Sequence, residues 1–149
     1  MSMDGRQVRA IAPDEIGDCA AVYVDAFAQP PWNEACDPAQ IADYLSGFID
    51  RDGFCAWRLS VGGEIVGVAL GIVVPCPGGA FLRLEDFCIA PKRQREGLGG
   101  LFFDQIQRLS AAQRCDSVLL ATQPDVPARG FYLKQGLREI PTVYMYKEL

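Results

Sequence analysis

A strand, a glycine-rich turn and a helix follow one another without interruption from residue 82, and this unit constrains the fold more than any other stretch. The stretch LRLEDFCI, residues 82–89, predicts a strand. The turn after it carries Lys92, Arg93 and Arg95, and three glycines open an amphipathic helix predicted over residues 97–113. A strand that continues through a tight turn into a helix is typical of a parallel crossover, so we expect an α/β protein.

The remaining elements are predicted on both sides of this unit. The pattern gives the order β-α-α-β-β-β-α-β-α-β, with antiparallel hairpins first and the parallel crossover later. We therefore expect an α/β fold with a mixed sheet, in a single domain over residues 1–149. The predicted strands are 6–11, 54–61, 64–74, 78–90, 117–121 and the closing TVYMYKEL (142–149), and the further helices begin near residues 13 and 38 and span 126–135.

Composition excludes several classes of function. The chain has 14 basic and 19 acidic residues and a net charge of −5, which argues against nucleic-acid binding and mildly favours cationic substrates. It has no histidine, so histidine-based zinc sites and catalytic triads are excluded. Its six cysteines form no CxxC pair, and we expect no metal. Without a signal peptide or membrane-spanning run, we expect a cytoplasmic protein with no membrane partner.

The turn itself has the properties of an anion site. The first N–H groups of a helix lack intrahelical partners, and the helix dipole is positive there. The stretch matches neither the phosphate-binding GxxxxGK[ST] pattern nor GxGxxG. The alternative is an ordinary helix cap surrounded by solvated arginines.

Two motifs resemble the GNAT superfamily of acyl-CoA-dependent N-acetyltransferases. Residues 94–99, QREGLG, fit the family's Q/R-x-x-G-x-G/A turn. Downstream, Ala128, Tyr132 and Gly136 match the family's second motif, whereas Asp125 replaces the usual Asn and Leu137 the usual Phe. The LEDF strand looks most like the spermidine/spermine acetyltransferase branch, and PPWNE (30–34) resembles the aminoglycoside branch.

The resemblance implies that acetyl-CoA binds at the turn. In the family the turn wraps the coenzyme A pyrophosphate, and main-chain groups at the end of the preceding strand meet the pantetheine arm and polarise the thioester carbonyl. Lys92 or Arg93 is then available for the 3′-phosphate, or is simply solvated. The expected coenzyme-binding residues are Phe87, Cys88, Ile89, Gln94, Arg95, Glu96, Gly97, Leu98, Gly99, Gly100 and Asp125.

The resemblance also assigns catalytic roles. It makes Tyr132 the general acid that protonates the departing thiolate, the alternative being a core aromatic residue. An acceptor amine must lose a proton before attack, and the resemblance points to Glu85 as the base, directly or through water. Strict strand alternation would place Glu85 and Asp86 on opposite faces, and a salt-bridged Glu85 is the structural alternative. Cys88 has no histidine partner to make it a nucleophile.

The acceptor is expected to be a small amine. Trp32 and Glu34 offer an aromatic ring and a carboxylate for a cationic substrate, although Trp32 could equally pack in a Pro-Pro turn. The expected reaction is direct transfer in a ternary complex. Acetylation of a protein or peptide and a non-catalytic coenzyme A sensor are the alternatives. A homodimer is possible, with the closing strand as a pairing edge.

Overall fold

The computed structural model describes residues 2, 3 and 5–149, with side chains from residue 5 onward. One six-stranded sheet has the order β1-β2-β3-β4-β5-β6, in which all neighbours are antiparallel except the parallel pair β5 and β6. The strands are β1 (Ser2–Met3), β2 (Arg6–Ala10), β3 (Phe54–Val61), β4 (Glu64–Cys76), β5 (Gly79–Ile89) and β6 (Cys115–Leu119).

Four α-helices complete the fold. They are α1 (Ile16–Phe27), α2 (Pro38–Ile49), α3 (Leu98–Ala112) and α4 (Pro127–Lys134), and short 3-10 turns precede α1 and α3. Asp37 caps α2 by accepting a hydrogen bond from the N–H of Ala39 at 3.0 Å, with Pro38 at the first helical position. The expected α/β fold class with antiparallel hairpins and one crossover is confirmed. The single domain over 1–149 stays a prediction, since residues 1 and 4 lie outside the described part.

The helices cover the two faces of the sheet in pairs. Asp86 of β5 contacts α1 and α2, whereas its neighbour Phe87 packs on Phe102 and Phe103 of α3 and Phe131 of α4. Successive strand residues point to opposite faces, so α1 and α2 cover one face and α3 and α4 the other. The residues between these layers form the core, with Leu45, Leu70, Leu82, Phe102 and Phe103 fully buried.

The end of the chain differs from the expected closing strand. Residues 137–149 belong to no helix or strand of the described chain, and residues 138–149 are all exposed. The strand expected over 117–121 lies at Cys115–Leu119 and is only half-buried. The β-rich composition of TVYMYKEL is therefore not matched by any pairing within one chain.

Candidate active site

A bulge in β5 decides which carboxylate faces the helices. Gly71 of β4 pairs with Leu84 and Leu70 pairs with Asp86, so Glu85 has no partner in β4. Paired residues share a face, so Asp86 lies on the same face as Leu70 while Leu84 lies on the other. The extra residue interrupts strict alternation and turns Asp86 toward α1 and α2.

Two tyrosines hold the Asp86 carboxylate. The Tyr44 hydroxyl of α2 donates to Oδ2 at 2.7 Å, and the Tyr23 hydroxyl of α1 donates to Oδ1 at 3.1 Å. Burial raises the pKa of Asp86, and the two tyrosine hydrogen bonds partly oppose that rise. The phenol pKa values of Tyr23 and Tyr44 are raised by burial and by this carboxylate. Both tyrosines therefore stay protonated donors, and Asp86 is a base stronger than an exposed aspartate.

Other acidic and aromatic groups surround this carboxylate. Glu34 and Glu85 lie close enough that their charges add to the rise in the Asp86 pKa. Glu85 forms an ion pair with Arg83, and its charge adds to the rise in the Tyr44 pKa. Trp32 packs edge-on against Phe27 with ring centroids 5.2 Å apart, and 43% of its surface is exposed. Of the residues predicted to bind or deprotonate the acceptor, Glu34 and Glu85 thus lie near Asp86, and Trp32 packs against Phe27 of α1.

Tyr132 approaches from the other face of the sheet. It lies on α4 with its ring 6.3 Å from Phe87 and 5.7 Å from Phe103. Burial raises the pKa of its phenol, and Cys88 and Asp86 add to that rise. Within residues 5–149 its hydroxyl has no hydrogen-bond partner. A protonated phenol that is not engaged elsewhere is free to donate to a bound molecule.

Between these two groups the edge of β5 is open. The pairing of β5 with β6 ends at Arg83 and Leu119, so residues 84–89 have no strand partner on that side in the described chain. The N–H of Ala90 donates to Val66 of β4 at 2.7 Å. By alternation, the N–H groups of Phe87 and Ile89 point to the open edge. Main-chain donors are available there for an extended ligand.

The glycine-rich turn forms a cavity of about 260 Å³ beside this edge. Gly97 adopts φ 76° as the N-cap of α3, a left-handed conformation that favours glycine. The N–H groups of Leu98, Gly99 and Gly100 have no intrahelical acceptor. The described lining includes two arginines and no acidic side chain, so it fits an anionic group such as a pyrophosphate. The lining residues are Ile89, Arg93, Gln94, Arg95, Gly97, Leu98, Gly99, Gly100 and Phe131.

Several residues predicted for the coenzyme have other partners. The Gln94 side chain donates to the carbonyl of Ile89 at 3.2 Å and so ties the turn to β5. Arg93 is ion-paired with Glu96 and Glu64, and Lys92 also pairs with Glu64. Neither cation is free to bind a 3′-phosphate unless these pairs open. Asp125 is exposed in the loop before α4.

Cys88 is unsuited to nucleophilic chemistry. It is buried on the face of Asp86, and burial raises its pKa to about 12. A thiol in that state is not ionised near neutral pH. Cys88 is therefore a core residue, and the main-chain role expected for its strand stays a prediction.

Comparison with known proteins identifies the family. The model of the acetyltransferase (GNAT) family matches residues 19–137. The chain belongs to the GNAT family. This GNAT protein is accordingly an acyltransferase, as the two motifs predicted. No curated protein matches its sequence.

Solved structures share the fold of this GNAT protein. A possible acetyltransferase from Clostridium difficile 630 superimposes with a TM-score of 0.84 at 14% identity, covering 97% of this chain and 98% of that one. An aminoglycoside acetyltransferase from an uncultured soil metagenomic sample, in complex with sisomicin, gives 0.78 at 14% identity, with 97% of each chain covered. The aminoglycoside N-acetyltransferase AAC(6')-Iy in complex with CoA gives 0.79 at 13% identity, covering 96% and 94%.

Sequence reasoning gave no functional role to Asp86 or to Tyr23 and Tyr44, the two tyrosines that hold it. The resemblance points to Glu85 instead. The available signal was Gly71, because a glycine inside a strand indicates a bulge or a close approach. An ideal Cβ there would lie 2.8 Å from Leu82 Cδ1. That glycine lies where the register shifts.

Two further findings concern a metal site and a membrane-spanning helix. No group of three or more Cys, Asp or Glu side chains in the described chain is placed to hold a metal ion. In the same residues, no helix is long and apolar enough to cross a bilayer.

Proposed function

We propose that this GNAT protein transfers an acetyl group from acetyl-CoA to the primary amine of a small cationic molecule. The observation that carries the proposal is Asp86, a carboxylate that accepts hydrogen bonds from two tyrosines. We call the surroundings of Asp86, Glu34, Glu85 and the nearby aromatic rings the acidic cleft. The cleft adjoins the open edge of β5 and the anion-binding turn. An amine entering on one face of the sheet thus meets an anionic ligand lying along that edge.

The acidic cleft supports a cationic acceptor. Asp86, Glu34 and Glu85 raise the local negative potential, and Tyr23, Tyr44 and Trp32 offer aromatic faces to an ammonium group. The aminoglycoside acetyltransferases among the structural neighbours are consistent with such an acceptor. A cation attracted to this cleft arrives next to the base that must deprotonate it.

The chain's own groups would move two protons. Asp86 accepts the proton of the acceptor ammonium, because its raised pKa brings it closer to that of its partner. The Tyr132 hydroxyl lies on the other side of β5 and would donate a proton to the departing thiolate. The bound coenzyme would supply the activated acetyl group and the leaving thiolate. The turn residues and the N–H groups of Phe87 and Ile89 would hold and orient it.

Coenzyme binding can be tested with a matched pair of charge reversals. Arg95 lines the cavity at φ 68°, and Arg114 lies at the other end of α3 at φ 67°, both exposed. Acetyl-CoA at about 100 times Kd should stabilise the wild type by about 2.7 kcal/mol. Arg95→Glu should lose much of that stabilisation in a thermal unfolding assay, and Arg114→Glu should keep it. If the wild type is not stabilised, the proposal fails.

The base can be tested with two adjacent carboxylates. Asp86→Asn should lower kcat/KM by about 10²- to 10⁴-fold, the usual contribution of general acid–base catalysis. Glu85→Gln should have a small effect, since Glu85 is paired with Arg83. Release of coenzyme A thiol would be followed with spermidine, an aminoglycoside and a lysine peptide. A larger loss in Glu85→Gln would return the role to Glu85, and turnover of the peptide alone would indicate a protein acceptor.

The six thiols give a secondary expectation about location. All six cysteines are free in the described chain. Free thiols persist in a reducing compartment, which supports the proposal that the protein is cytoplasmic.

A further inference from the structure

Two carboxylates hold the two cations that lead into the glycine-rich turn. Arg93 donates from Nε and Nη2 to the two oxygens of Glu96 at 3.0 and 3.2 Å, and from Nη1 to Glu64 at 3.0 Å. Lys92 donates to the other oxygen of Glu64 at 3.4 Å. We call Glu64, Lys92, Arg93 and Glu96 the turn network. It contains two cations and two carboxylates, so it has no net charge.

Arg93 is held more firmly than an ordinary surface arginine. A single exposed ion pair contributes little, but a two-pronged pair of arginine and carboxylate within a network is the exception. All three guanidinium nitrogens have acceptors, and only 23% of the side chain is exposed. The backbone N–H of Arg93 also donates to the carbonyl of Ala90 at 2.9 Å, in the 3-10 turn Pro91–Arg93. Backbone and side chain therefore both have partners without any ligand.

The other donors of the cavity suit a pyrophosphate. The N–H groups of Leu98, Gly99 and Gly100 have no intrahelical acceptor. Arg95 lines the cavity and has no ion pair among residues 5–149. Coenzyme A carries a third phosphate, on the 3′ position of its ribose. Once these donors serve the pyrophosphate, the cations left in the turn are those of the turn network.

A third phosphate would meet carboxylates together with those cations. Glu64 and Glu96 occupy the donors of Lys92 and Arg93, and their charges repel a phosphate that approaches from solvent. The phosphate would have to replace both carboxylates and leave them unpaired beside it. Selectivity is set by such repulsive elements as well as by attractive ones.

We infer that this GNAT protein does not select for the 3′-phosphate of its donor, and that Glu64 and Glu96 are the specificity-determining residues that suppress this selection. The inference rests on the proposed use of acetyl-CoA and extends it, because thioesters of 3′-dephospho-coenzyme A then become donors of the same standing. The recognised part of the donor is the pyrophosphate with its pantetheine arm.

The first test is calorimetric titration of the full chain with coenzyme A and with 3′-dephospho-coenzyme A. A charged hydrogen bond to the 3′-phosphate would make coenzyme A bind about 10-fold tighter or more. We expect the two dissociation constants to agree within about threefold, as they should without such a bond. A larger preference for coenzyme A overturns the inference and leaves the proposed function intact. If neither molecule binds, the proposed function fails and the inference fails with it.

Releasing the two cations should create the missing selectivity. In Glu64→Gln combined with Glu96→Gln, Lys92 and Arg93 lose their carboxylates, so coenzyme A should bind about 10-fold tighter than its dephospho form. Adding Arg93→Gln to this variant should remove most of the preference. If the glutamine variant binds the two molecules equally, Glu64 and Glu96 do not suppress the selection and the inference is wrong.

A matched control separates the release of the cations from the loss of negative charge. Asp104→Asn combined with Asp116→Asn removes the same charge at two exposed positions outside the turn network. It also breaks an arginine pair, that of Asp104 with Arg108. This variant should keep the wild-type ratio of dissociation constants. A preference equal to that of the glutamine variant would show a general effect of charge and would overturn the inference. Circular dichroism would confirm that each variant is folded.

Discussion

The base and the acid of the proposed site belong to regions of unequal packing. Every buried residue of the described chain lies between Val8 and Ser110, and none lies among residues 111–149. Asp86 is in the first region and accepts hydrogen bonds from α1 and α2. Tyr132 is in the second, on a helix with no buried residue. The position of the proposed base, Asp86, is therefore fixed by the core. The position of the proposed acid, Tyr132, depends on what covers the end of the chain.

This difference has a physical consequence for catalysis. A side chain with two hydrogen bonds and packed neighbours needs no reorganisation before it reacts. A helix with few buried contacts opens more easily and is ordered by whatever binds it. We therefore expect the proposed proton donor to be organised by the coenzyme, and the proposed base to be organised without it.

The largest expected effect compares two phenylalanines that both pack on Phe87. Phe102 is fully buried, with its ring centroid 5.3 Å from that of Phe87, and Phe131 is half-buried at 5.8 Å. Phe102→Ala should lower the free energy of unfolding by about 3–5 kcal/mol. Phe131→Ala should cost about half as much, because part of its surface is already in water. Urea unfolding of the two variants measures the difference between their free energies of unfolding. Equal losses would show that the two regions are packed equally well.

A second effect separates chemistry from stability at Tyr132. Tyr132→Phe should lower kcat by about 10²-fold through loss of the proton donor. The melting temperature should hardly change, since the hydroxyl has no hydrogen bond in residues 5–149. Steady-state kinetics and thermal unfolding of one preparation give both values. A large fall in stability would mean that the hydroxyl has a structural role.

The tyrosines that hold Asp86 should act on the pH profile. Hydrogen bonds to the ionised carboxylate lower its pKa, so removing one raises it. Tyr44→Phe should move the acidic limb of kcat/KM to higher pH, because the Tyr44 hydrogen bond lowers the pKa of Asp86. Tyr23→Phe should move it less, because its hydrogen bond is 3.1 Å rather than 2.7 Å. If neither limb moves, Asp86 is not the group that titrates.

The smallest effect is on stability. The folded pKa of Asp86 is raised, so its protonated form favours folding and that contribution is lost as pH rises above the unfolded value of 3.8. Asp86→Asn cannot ionise, so its stability relative to wild type should increase as pH rises above 3.8. Asp43→Asn, on the exposed side of α2, provides the control. If the stability of Asp86→Asn relative to wild type instead increased as pH fell, the sign would be reversed and the burial of Asp86 would be contradicted.

Local patterns were sufficient for the elements that pack within one chain. The sequence predicted a helix start near residue 38, strands over 54–61 and 64–74, and a helix that begins at the glycine turn, and the structure has each of them. Each of these depends on neighbours a few residues away. The coenzyme motif could be identified for the same reason.

Two features could not be predicted from local patterns, because distant parts of the chain decide them. The direction of Asp86 depends on a register shift between β4 and β5, which alternation along β5 alone does not show. The closing strand was expected from its β-rich residues, but strand formation requires a partner edge, and residues 137–149 find none in one described chain. Strand propensity identifies which segment can pair, and the topology of the sheet decides whether an edge is available to it.

The absence of a side chain at Gly99 lets the glycine-rich turn and α4 lie close together, although the two belong to separate sequence motifs. An ideal Cβ on Gly99 would lie 3.3 Å from Phe131 Cε1, and one on Gly100 would lie 3.5 Å from Gln135 Nε2. The turn that can receive a coenzyme is therefore also the surface on which the helix of Tyr132 rests. In evolutionary terms, a substitution at Gly99 would act on the proposed coenzyme site and on the proposed proton donor together, because its added atoms would press on Phe131, the neighbour of Tyr132.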